Sequence, residues 1–98
     1  MIETYGILTL LEAKPGKGDD LNAFLKTCRA VVAGEAGTIS WYAFKLSDTV
    51  YGIFDTFITE EGRQAYLNGK IPAELGKIAD VVLAKEPDIR QVDIAAVK

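Results

Sequence analysis

Residues 38–46 and 49–58 read as two successive strands, and apolar side chains fill both alternating positions of each. Ile39, Trp41, Ile53 and Phe57 take one parity; Tyr42, Phe44 and Phe54 take the other. Successive strand residues point to opposite faces, so a sheet built on this pair has to be covered twice. A chain of 98 residues makes one domain, expected over positions 1–98, with helices enough for one face. Leaving the other face in water would expose more apolar surface than a soluble monomer usually tolerates. The expected resolution is a homodimer whose two sheets pack face to face.

The rest of the chain supplies the helices and the flanking strands. Residues 3–14 form a run of strand length, ended by the turn Pro15-Gly16-Lys17-Gly18. Asp19 and Asp20 offer an N-cap and negative charge at a helix start. Leu21, Phe24, Leu25, Cys28, Val31 and Val32 then follow helical spacing, up to Gly34 and Gly37. Ser47-Asp48 is a hairpin-length connection between the two middle strands. Thr59 before Glu60-Glu61 predicts an N-capped helix that stops at Asn68-Gly69. Pro72 suits the first turn of another helix with an apolar face through Leu75, Ile78, Ala79, Val82 and Leu83. After Pro87, residues 89–97 alternate as a last strand. The order β-α-β-β-α(α)-β predicts an α+β fold: a ferredoxin-like, four-stranded antiparallel sheet with helices on one face, pairing into a dimeric α+β barrel.

Charge and composition remove several classes of function. The net charge is −3 and the cations are scattered, which argues against nucleic-acid or anionic-membrane partners. No apolar run reaches the length of a membrane span, and no basic-then-apolar leader is visible at the N-terminus. The single Cys28 cannot form an internal disulfide and lies on the apolar stripe of its helix, so a core thiol and a reducing cytoplasmic setting are expected. With no histidine, a Ser-His-Asp triad, a Cys-His pair and imidazole metal sites are excluded. No metal is expected.

Candidate chemistry concentrates in residues 37–70, which hold six of the eight Phe and Tyr residues and the only Trp. Asp55 is an acid between Phe54 and Thr56 in a central strand; if buried it must be paired or protonated. It reads either as a base, or as a structural partner of Arg63 or Lys45, or as the centre of a bulge reaching solvent. Arg63 and Tyr66 stand three apart on one helix, so both can address the same space. Tyr66 could donate to a substrate carbonyl and Arg63 could stabilise negative charge, or each could simply pack and pair. Asn68 reads as a ligand contact or a helix stop, and Trp41 as a cavity wall or core.

The runs GTISWYAFKL, YGIFDTF and EEGRQAYLNGKIPAEL, with EAKPGKGDDLNAFL upstream, resemble the antibiotic biosynthesis monooxygenase domain family over nearly the whole chain. That resemblance implies a dimeric α+β barrel with a cavity between sheet and helices in each subunit. It also implies oxidation of a phenolic or quinol aromatic substrate without a cofactor. Trp41, Tyr66 and Asn68 match the family's polar lining most nearly. With Asp55 and Arg63 added from the strand and helix positions above, Asp55, Tyr66 and Asn68 are the candidate catalytic residues and Trp41 and Arg63 the candidate substrate contacts. The family commonly carries His where Tyr66 stands. An unperturbed tyrosine, with a pKa of about 10, does not exchange protons readily near neutrality. A non-catalytic binding or dimerisation module on the same fold is the competing expectation.

Overall fold

The computed structural model describes residues 2–98, and Met1 lies outside it. Strand β1 (Tyr5–Glu12) leads to helix α1 (Gly18–Val32), the pair β2 (Ser40–Lys45) and β3 (Val50–Phe57), helices α2 (Glu60–Leu67) and α3 (Lys70–Val82), and β4 (Asp88–Asp93). The sheet order is β2-β3-β1-β4, with every pairing antiparallel. This is the expected ferredoxin-like α+β arrangement, its second helical crossover divided into α2 and α3.

Alternation sorts the side chains between the two faces. Ile7, Leu11, Tyr51, Ile53 and Phe57 point under the helices and are almost fully buried. Against them α1 sets Leu21, Leu25, Cys28 and Val32, and α3 sets Ile71, Leu75 and Val82. Burying a single such side chain contributes roughly 1.5–3 kcal/mol, so this layer holds the domain together. The opposite face carries Leu8, Leu10, Tyr42, Phe44, Phe54 and Val92, all exposed or half-buried in the single chain. Tyr42 is 62% exposed. On that face Gly52 lies opposite Phe44, whose ring fills the space a Gly52 side chain would need.

Local starts and stops differ from the sequence reading in three places. Helix α1 begins at Gly18 behind Lys17, which makes no side-chain cap, so Asp19 and Asp20 sit inside the first turn and act through charge alone. The β2–β3 connection spans residues 46–49 and closes through Leu46 N–H to the Val50 carbonyl at 2.8 Å. Strand β4 ends at Asp93, and Ile94 still donates to the Thr4 carbonyl at 2.8 Å, just ahead of β1. Thr59 does cap α2, accepting from Gly62 N–H at 3.0 Å. Among the described residues no helix is long and apolar enough to cross a membrane.

Candidate functional site

Three of the five candidate residues meet under the helices at the β2–β3 end of the sheet. Trp41 and Asp55 are directly paired across β2 and β3, so both side chains leave the same face. Tyr66 descends on them from α2, and its hydroxyl accepts the Trp41 indole N–H at 3.1 Å. The Phe57 ring lies 5.7 Å from the Tyr66 ring, tilted by 56°, and fixes its plane. Helix α2 can come this close because Gly37 and Gly62 meet without side chains between them. A side chain at Gly37 would stand 3.1 Å from the Gly62 Cα.

Asp55 is completely buried, and neither carboxylate oxygen has a hydrogen-bond partner among the described residues. Burial pushes its carboxyl from 3.8 up to about 7; the Tyr66 hydroxyl pulls the other way without making a full hydrogen bond, and the nearby Glu35 charge pushes it up further. The Tyr66 phenol is raised well above the ordinary tyrosine value, by burial first and then by the Asp55 charge. Neither of the pairings considered for Asp55 forms. Lys45 faces Asp48 at 3.6 Å, and Arg63 turns to the other end of the helix. Nor is there a bulge at Asp55, since β1 and β3 stay in unbroken register through it.

Arg63 and Asn68 are not brought to this cluster. The Arg63 guanidinium holds Glu60 through two hydrogen bonds of 2.7 and 3.0 Å and donates to the Gly6 and Val92 carbonyls at 3.3 and 3.0 Å. It also lies 5.0 Å from the centre of the Tyr5 ring. Asn68 caps α2 at the surface, donating its side-chain amide to the Gln64 carbonyl at 3.0 Å.

The cluster is flanked by open grooves. Tyr66 borders one of about 440 Å³ between residues 34–38 and the α2–α3 junction. Trp41 borders one of about 300 Å³ beside the end of α1, and another of about 490 Å³ between α1 and β2. Asp55 borders none of the three. Glu35, which the sequence gave no reason to single out, lines both smaller grooves and acts electrostatically on Asp55 and Tyr66. Cys28 is a buried thiol pushed up to about 11, by burial and then by Glu74, and stays protonated at neutral pH. Among the described residues no group of acidic or thiol side chains has the makings of a metal site.

The fold places the chain among ferredoxin-like α+β proteins and is similar to that of antibiotic biosynthesis monooxygenases. A cofactor-independent oxygenase from Streptomyces nogalater superposes with a TM-score of 0.79 at 7% identity, covering 98% of this chain and 97% of its own. A candidate antibiotic biosynthesis monooxygenase from Caulobacter crescentus gives 0.77 at 18% identity, with 96% and 92% covered. These two likenesses establish the fold. No family model matches the chain, and neither does any curated protein. A crystallised protein of unknown function from Nitrosomonas europaea is 38% identical over 98% of this chain and 93% of its own, with a TM-score of 0.95. The chain belongs to the same family as that protein.

Proposed function

We propose that the protein is a dimeric, cofactor-independent oxygenase acting on a phenolic or quinol aromatic. The reading rests on Asp55: a fully buried carboxylate with no hydrogen-bond partner among the described residues is poised to take up a proton near neutral pH. The fold likeness to an oxygenase that works without a cofactor supports it. An electron-rich phenolate can itself give electrons to oxygen, so the protein has to supply deprotonation, orientation and water exclusion. One oxygen atom enters the substrate and the other leaves as water, with the substrate as the only electron source.

In this scheme Tyr66 replaces the missing imidazole as a relay. The transfer needs the Tyr66 hydroxyl to complete a hydrogen bond to Asp55 that the structure leaves unmade; it then takes the substrate's proton as it passes its own to Asp55, with Trp41 N–H steadying the oxygen. Tyr66 never needs to ionise alone, which its raised pKa would forbid. Dimerisation is part of the proposal, because the apolar outer face of the sheet calls for a cover. A light-scattering mass equal to one chain at micromolar concentration would remove that part.

One observation favours the non-catalytic alternative. Asp55 borders none of the grooves, and Phe57 packs on Tyr66 where a substrate ring would otherwise approach. Oxygen uptake with a panel of quinols decides between them. The oxygenase reading expects turnover that falls roughly 100-fold or more in Asp55→Asn and in Tyr66→Phe. Equal rates in wild type and both variants, no higher than the uncatalysed reaction, leave only a binding or dimerisation module.

A further inference from the structure

The α1–β2 groove has a charge of its own. It runs between α1 and the edge strand β2, with a volume of about 490 Å³, within the range of small-molecule sites. Its helix wall is the stripe Asn22, Leu25, Lys26 and Arg29, spaced i, i+3, i+4, i+7. Lys45 stands on the strand wall, and Trp41 and Tyr51 contribute aromatic surface. The chain carries a net charge of −3, yet this groove is lined by three cations and no carboxylate. Lys45 reaches Asp48 at 3.6 Å and lies 5.9 Å from the centre of the Tyr51 ring. Among the described residues, Lys26 and Arg29 make neither a salt bridge nor a side-chain hydrogen bond. Two unpaired cations beside aromatic walls form a surface complementary to a flat, apolar body bearing negative charge.

We propose that the α1–β2 groove binds a planar aromatic anion, its ring against Trp41 and its carboxylate or phenolate on Lys26 and Arg29. Trp41 is the physical link to the buried cluster. One edge of its indole holds the Tyr66 hydroxyl, and the same side chain lines the groove. If the oxygenase reading stands, this names its substrate class as an acidic aromatic, not a neutral one. The binding claim itself does not need turnover.

Calorimetric titration of the full chain with 1-hydroxy-2-naphthoate, and with neutral 1-naphthol as the control that lacks the carboxylate, tests the proposal. The carboxylate is expected to bind about tenfold or more tightly than naphthol at low salt, and to lose that advantage at roughly 0.5 M salt. Lys26→Gln combined with Arg29→Gln should bring the two ligands to equal affinity while leaving naphthol unchanged. Both positions are exposed, so the melting profile of the double variant should match wild type. Trp41→Phe should weaken both ligands. Equal affinity of the two ligands for wild type, or an intact carboxylate advantage in the double variant, overturns the proposal, as does failure of both to bind. Binding without oxygen uptake would remove the oxygenase reading and leave the groove assignment standing.

Discussion

Arg63 and Tyr66 stand three residues apart on α2, yet they lead into opposite kinds of interior. The Arg63 side chain is 8% exposed, and its charge is fully answered by Glu60, two backbone carbonyls and the Tyr5 ring. Tyr66 leads to Asp55, whose two oxygens have no hydrogen-bond partner among the described residues. A buried ion that is fully satisfied ties elements together: Gly6 and Val92 face each other across β1 and β4, and the guanidinium clamps both to α2. A buried acid left alone instead costs stability whenever it ionises. Proteins carry such costs where a proton has to move.

The contrast breaks first if Asp55 proves harmless. Its folded pKa is raised from 3.8 to about 7, so the folded state holds a proton that the unfolded chain gives up between those values. Stability from this group is therefore complete below pH 3.8 and is lost as pH rises to about 7, with no further loss above. At about 1.4 kcal/mol per pH unit, the loss across the window is on the order of 4 kcal/mol. Asp55→Asn should remove that slope and be the more stable protein at pH 8 by roughly 2–3 kcal/mol, after the cost of its own unpaired amide. Urea unfolding at intervals from pH 4 to 8 measures this. Parallel pH profiles for wild type and variant would mean that Asp55 is already compensated. A variant that is stabilised and inactive together would mark the acid as retained for chemistry.

Arg63→Met tests the other half. Losing the guanidinium strips a donor from the Gly6 and Val92 carbonyls and unties α2 from the sheet edge, at a cost of roughly 2 kcal/mol in urea unfolding. Turnover per folded molecule should not change, because the guanidinium is held on Glu60 and the Gly6 and Val92 carbonyls, away from the cluster. A drop in kcat without loss of stability would instead put Arg63 in the chemistry.

How much of this could be read from the chain depends on whether the cause is local. The apolar strands 38–46 and 49–58 dictated a sheet with a buried face, and periodicity gave α1 and α3, because alternation and helical spacing are written in neighbouring residues. Asp55 was visible as an acid in an apolar strand, and the register then set it beside Trp41. Its isolation was not legible: Lys45–Asp48 and Glu60–Arg63 are pairs three apart in sequence, but nothing in the chain says that these local pairs win over Asp55. Helical spacing alone suggested that Arg63 and Tyr66 address one space. The sheet below them divides it, sending one towards β1 and β4 and the other towards β2 and β3. Lys26 and Arg29 left a signal, the i, i+3 pair on the polar flank of α1; Glu35 left none.

Asn68 gives the smallest effect and the sharpest control. It is the third polar candidate from the same helix, but its amide is already used in the last turn, bonded to the Gln64 carbonyl at the surface. Asn68→Ala should cost no more than about 0.5 kcal/mol, the usual size for an exposed position. Oxygen uptake should stay at the wild-type rate while Tyr66→Phe, two residues away, abolishes it. If Asn68→Ala instead lowered kcat as far as Tyr66→Phe without moving the unfolding midpoint, the chemistry would lie nearer the C-terminal end of α2. The groove there is lined by Gly69 and Lys70 as well as Tyr66. Tyr66 would then belong to that groove before it belonged to Asp55, and the buried acid would lose its claim as the proton acceptor.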